Sequence, residues 1–248
     1  MACENTKTFR GAGEVFIATL DATTKLPNSN FRPLGNTPLF VVNTTQEFED
    51  VRESKSGTRQ RIAYITTSMD SEVSLELNSF SKENIEFAFY GTTTSAASGS
   101  IVGETAIVYS LNQAVILDKL KTSNVVVKNS LAATLTVDVD YTLDARAGTI
   151  TFIDATNITI PGEVIAIDYD YVAQSKVDTF TQGQSEYALK MIGHNVTDGK
   201  AVRISIPRAV LSAAETLEAI TDNVVTLAIG GALLVNCEDE VMIIEQED

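Results

Sequence analysis

Residues 72–77 read Glu72-Val73-Ser74-Leu75-Glu76-Leu77, apolar and charged or polar in strict alternation. Successive side chains of an extended chain point to opposite faces, so a strand here has one apolar face and one wet face. The rhythm returns at Leu135, Val137, Val139 and Tyr141, which alternate with Thr136, Asp138 and Asp140. Between Glu163 and Val172, Ile165, Ile167, Tyr169 and Tyr171 share one face. The opposite face begins with Val164 and Ala166 and turns acidic at Asp168 and Asp170. Further strands are expected at 14–20, 39–44, 61–67, 148–153, 187–192, 201–206, 224–229 and 241–245, segments rich in the Val and Thr that suit a pleated, half-buried surface. The fold class predicted is mainly β.

One short helix is expected to interrupt the strands. Ser81 is a suitable N-cap, Phe80 before it can staple against Ile85, and Ile85 and Phe89 fall on one side at i, i+4 spacing. Gly91 supplies the stop. Such a helix with two large apolar anchors packs as a cover on one sheet face. The stretch Ser212-Ala-Ala-Glu215 has a capping-box pattern, yet 212–220 is equally compatible with an extended run. Residues 91–103 are small and polar and read as a loop or linker. Short, tightly spaced strands follow, so the β-rich section 96–180 reads as a module inserted between two parts of one larger fold, 1–95 and 181–248.

Composition excludes several functions. With 248 residues, 44% apolar and 21% charged, the chain is globular in kind. Eighteen Lys and Arg against 33 Asp and Glu leave a net charge of −15. Duplex affinity needs cations to neutralise phosphates, so sequence-specific DNA binding is not expected, and repulsion is the natural relation to DNA. No window approaches the ~20 apolar residues of a membrane span, and the first residues lack an apolar core of signal-peptide length. Cys3 and Cys237 match no zinc or redox spacing and read as reduced thiols. A single histidine, His194, and no nucleophile-elbow, metalloprotease, Walker or dinucleotide motif argue against an enzyme; no cofactor and no metal are expected.

Three clusters carry the remaining signal. Asp138, Asp140 and Asp144 suggest calcium, but the EF-hand spacing fails, and acids alternating on a solvated strand face explain them as well. Asp168 and Asp170 repeat that arrangement. The segment Arg52-Glu53-Ser54-Lys55-Ser56-Gly57-Thr58-Arg59-Gln60-Arg61 is the one concentrated basic stretch, and its place between two strands makes it a long hairpin tip or loop. It is either a solvated turn or, on so acidic a protein, a contact drawn to an acidic patch on another copy. Gly11 and Gly13 precede a strand rather than a helix, which suits a bend or a close backbone approach and not a phosphate cradle.

Taken in order, these pieces resemble the major tail tube proteins of tailed bacteriophages. The resemblance rests on Phe9-Arg10-Gly11-Ala12-Gly13 leading into Val15-Phe16-Ile17-Ala18, then Phe31-Arg32-Pro33-Leu34-Gly35-Asn36-Thr37-Pro38, then Glu53 to Arg59, the strand Val73–Leu77, and Phe80-Ser-Lys-Glu-Asn-Ile85 running to Phe89-Tyr90-Gly91-Thr92. Gly193-His194-Asn195 and the strand ending Ile206-Pro207-Arg208 continue it. It implies two packed β-sheets flanked by a helix, divided as 1–95 and 181–248 with the middle section 96–180 between. It further implies hexameric rings stacked into a tube of the long, non-contractile kind, assembled in the host bacterial cytoplasm and residing in the virion tail. The loop around 49–61 would reach the neighbouring ring, with Arg52, Glu53, Lys55, Gly57, Arg59 and Arg61 as inter-ring residues. Asp138, Asp140, Asp168 and Asp170 would be candidates for the lumen. Partners would be further copies, tail terminator, baseplate or tail-tip and tape-measure proteins, and DNA in transit, with no membrane. Within the resemblance, 209–220 is extended. Tubes of contractile tails and secretion systems share that fold. A different class, a β-sandwich module that recognises carbohydrate or a cell surface, is the alternative; the absence of Trp and the inward alternation of Tyr count against it.

Overall fold

The computed structural model of the chain describes residues 8–55 and 57–247. Cys3, the N-terminal stretch and Ser56 lie outside the described residues. In chain order the elements are β1 (Gly11–Thr19), β2 (Arg32–Pro33), β3 (Leu39–Arg52), β4 (Arg61–Leu77), α1 (Lys82–Ala88), β5 (Thr92–Ala96), β6 (Gly99–Val108) and β7 (Ala114–Ile116). They continue with β8 (Thr122–Lys128), β9 (Tyr141–Asp144), β10 (Thr149–Phe152), β11 (Glu163–Tyr171), β12 (Gln174–Asp178), β13 (Glu186–Asn195), β14 (Ala201–Leu211), β15 (Leu227–Leu233) and β16 (Ile243–Gln246). The protein is mainly β, built from antiparallel sheets with a single short helix among the described residues.

The chain divides into two compact units. One contains the described residues up to Thr93 and those from Val177 onward; the other is Thr94–Lys176. β5 and β12, which carry the chain across these borders, pair with each other.

In the first unit, one sheet runs β2-β1-β13-β14-β15-β4-β3, with β16 beside β14. The alternation at 72–77 is what builds its core: Val73, Leu75 and Leu77 are buried to 1% exposure or less, while Glu72, Ser74 and Glu76 are not. Val15, Ile17, Leu189, Ile206, Leu227 and Ile229, from strands across the sheet, join them with Phe87, Ala88 and Phe89 of the helical segment. β1 and β13 approach closely where Gly13 faces Gly193. A Cβ on Gly13 would lie 2.4 Å from the Ile192 carbonyl oxygen, so a close backbone approach is the reason for this glycine.

In the second unit, β7-β10-β9 and β6-β11-β8 are two three-stranded sheets around one core. Ile165, Ile167 and Tyr169 of β11 meet Ile150 and Phe152 of β10 in that core.

Some expectations are corrected here. Residues 135–140 do not form a strand: they bend through a turn in which Asp138 takes a left-handed backbone (φ 64°), and of the alternating set only Leu135, Asp140 and Tyr141, the first residue of β9, are buried. The small, polar 91–103 is mostly strand, in β5 and the start of β6, because Thr and Ser can pair across a ladder as well as populate a loop. Residues 212–220 are irregular, neither helix nor strand. The segment is held by the Ala214 N–H donating to the Ala88 carbonyl at 2.7 Å.

The helix begins as expected, with the Ser81 hydroxyl accepting from the Asn84 N–H at 3.2 Å, but its inward face differs. Asn84, Phe87 and Ala88 point to the core, Phe89 follows at the C-cap, and Ile85 is only half-buried. Phe80 is 50% exposed and anchors nothing in the core. The reason is Asn84. Its amide donates to the Leu34 and Ser79 carbonyls at 2.8 and 2.9 Å and accepts from Arg32 at 2.8 Å, which pulls this side of the helix inward. The left-handed residue at the helix end is Tyr90 (φ 47°), one before Gly91. The Gly91 N–H returns to the Glu86 carbonyl at 2.8 Å, the longer of the two bonds that define a Schellman end. Gly91 is required for space instead, since a Cβ there would sit 2.8 Å from Val177.

Candidate functional site

The β3–β4 hairpin outruns the core from which it grows. Phe40 and Val42 pack at its base, opposite Leu75 and Val73. Beyond the Thr44–Ser71 pair, whose hydroxyls are 3.2 Å apart, most side chains of both strands are exposed. At about 3.3 Å per residue, the ribbon from Thr44 to Arg52 projects roughly 26 Å. It is an arm with a large apolar load: Ile62 is 65% and Met69 61% exposed, and Phe48, Tyr64 and Ile65 are also open to solvent. Phe48 and Tyr64 stack with ring centres 4.4 Å apart, and the Arg61 guanidinium lies 4.9 Å from the Tyr64 ring centre.

The structure places the basic stretch at the end of this arm, as a hairpin tip. Its cations are not equivalent. Arg61 and Arg52 both donate to Asp50 Oδ2, at 2.9 and 3.1 Å, so one carboxylate holds two of them within the hairpin. Lys55 and Arg59 are exposed on the turn, and Arg59 takes a left-handed backbone (φ 43°). The Glu53 N–H donates to the Gln60 carbonyl at 2.9 Å and closes the loop. Gly57 has open space around it.

The acidic candidates separate in the same way. Asp140 is buried, at 3% exposure. Its carboxylate accepts from the Thr136 N–H at 2.7 Å and the Asn157 amide at 2.8 Å, so it shapes the turn instead of facing solvent. Asp138 is exposed on that turn. The Asp144 carboxylate accepts from the Arg146 and Ala147 N–H groups and closes the β9–β10 turn. Asp168 pairs with Lys128 at 2.7 Å and accepts from the Gly103 N–H at 2.7 Å; these partners hold its carboxyl below the usual range. Asp170, held by Ser100 and by the Asn124 amide at 2.7 Å, is lowered too. Both remain anions, though spoken for by neighbours.

Three residues of structural consequence have partners that no spacing along the chain indicates. Asn84 joins the Arg32–Leu34 segment to the helix, so two stretches that are remote in sequence meet at one side chain. Asn195, buried, accepts from the Arg10 N–H at 3.0 Å and donates to the Thr8 carbonyl at 3.1 Å. Glu186 accepts from Arg208 at 2.7 Å and Lys25 at 3.1 Å, which draws its carboxyl down to about 2. A repeated spacing could have flagged none of them. Cys237 is exposed and unpaired. Among the described residues no helix is long and apolar enough to cross a membrane.

These features define a mainly β, antiparallel protein with a projecting two-stranded arm. The chain belongs to the family described as "protein of unknown function UCP028589", which it matches over residues 8–240. No curated protein matches it.

Proposed function

We propose that the chain is a structural subunit that assembles with copies of itself into stacked hexameric rings, the tail tube of a bacteriophage with a long non-contractile tail. The observation that carries this reading is the β3–β4 arm. A two-stranded ribbon is marginal alone in water, and one that exposes stacked aromatics and aliphatic side chains along two strands calls for a covering surface. β3 also forms the outer edge of its sheet, a row of unpaired backbone groups suited to pairing with another chain. The net charge of −15 supports a conduit that lets DNA pass without gripping it, since it leaves few cations to hold phosphates. The tube would reside in the virion tail after assembly in the bacterial cytoplasm, in contact with tape-measure, terminator and tail-tip proteins.

Negative-stain microscopy and light scattering of the purified chain over a concentration series test the reading. Rings or hollow filaments are expected. A monomer at every concentration that binds a glycan array would replace this reading with that of a carbohydrate-recognition module.

A further inference from the structure

We infer that the arm of one copy docks in a groove at the base of the arm of another. The inference rests on the self-assembly reading and names the acceptor surface. The groove, about 910 Å³, lies between the base of the β3–β4 hairpin and the segment from Ala232 to Ile244. Its lining includes Met69, Val235, Met242 and Ile244, all more than a third exposed. Asp70, Glu72, Asp239 and Glu240 border it, no Lys or Arg does, and among the described residues no ion pair reaches these four carboxylates.

The tip of the arm has the complementary character. Arg52, Lys55, Arg59 and Arg61 outnumber Asp50 and Glu53 there, and the Phe48–Tyr64 stack stands just behind them. Cations meeting unpaired carboxylates around an apolar floor fix both the partner and its register. The occupant comes from another molecule, because groove and tip lie at opposite ends of one continuously paired ribbon, roughly 26 Å apart along β3. That separation also makes the contact heterologous. A copy whose tip fills a neighbour's groove still presents its own groove, so the contact propagates into rings or filaments and does not stop at a dimer.

Charge reversal tests this. The tip variant Lys55→Glu/Arg59→Glu and the groove variant Asp70→Lys/Glu72→Lys/Asp239→Lys, which makes the groove net cationic, change exposed side chains. Each alone is expected to raise the concentration at which particles appear by about ten-fold or more, which corresponds to about 1.4 kcal/mol or more. Mixed in equal amounts, they are expected to co-assemble near the wild-type concentration, since each tip then meets a groove of opposite sign; this rescue also shows that both variants are folded. Groove-reversed chains that assemble like wild type overturn the inference and leave the self-assembly reading standing. The same holds if the mixture shows no rescue. A wild-type chain that stays monomeric overturns both.

Discussion

At Glu186 one carboxylate ties Arg208 of β14 to Lys25 of the loop after β1, and those two cations hold its pKa near 2. A carboxyl depressed in the folded state stabilises that state above its unfolded pKa, near 4.5, and loses the contribution as pH falls toward 2. Glu186→Gln should therefore cost about 1–3 kcal/mol at pH 7. The gap from wild type should close steadily below pH ~4. Urea midpoints at pH 7 and pH 3 decide it; curves equally far apart at both would show that the charge is irrelevant. Asp140 works through burial and hydrogen bonds to the Thr136 N–H and the Asn157 amide. Asp140→Ala should cost about 2–3 kcal/mol. Hydrogen exchange should show lost protection at the Thr136 amide, and retained protection there would count against this role. From the sequence, Asp140 was one member of an alternating acidic row. Its neighbours along the chain say nothing about Asn157, which reaches it only in the folded unit.

The helix and the arm show how far an element can be read from its pattern. Ser81 was legible as a cap because capping is local, between residues three apart. The inward face was not, because Asn84 is drawn in by Leu34 and Ser79 carbonyls and Arg32, partners outside the helix. Phe87 is the buried anchor, meeting Tyr187 edge-to-face at 5.2 Å, so Phe87→Ala should cost about 3–5 kcal/mol in thermal or urea unfolding. Phe48 and Tyr64 are large aromatics of the opposite kind, stacked on an exposed ribbon. Replacing both with Ser should shift the subunit's unfolding free energy by only about 1 kcal/mol or less while weakening assembly measurably by sedimentation. Equal losses of stability for the two sets would mean that the arm is part of the subunit's own core.

For the whole molecule, the hairpin tip separates two contributions that its sequence joins. Arg52 and Arg61 are engaged by Asp50 inside the arm, whereas Lys55 and Arg59 are exposed on its turn. Neutralising Lys55 and Arg59 should lower particle yield in negative stain more than neutralising Arg52 and Arg61. Because exposed charges are screened over about 10 Å at 0.1 M salt, wild-type assembly should also weaken as salt rises. Equal yields from both pairs of variants, and yields insensitive to salt, would remove the tip charges from assembly.

The mainly β class, the core face of residues 72–77 and the acidic balance were determined by the sequence alone. Alternation and net charge are properties of the chain itself: a period of two assigns each side chain to a face before any partner is chosen. Tertiary structure decided which acids are buried, which cations are already paired, which face of the helix turns inward and that 135–140 bends. Each of those outcomes depends on a hydrogen bond or ion pair whose geometry no spacing along the chain encodes, and burial enforces them because an unpartnered polar group away from water is costly.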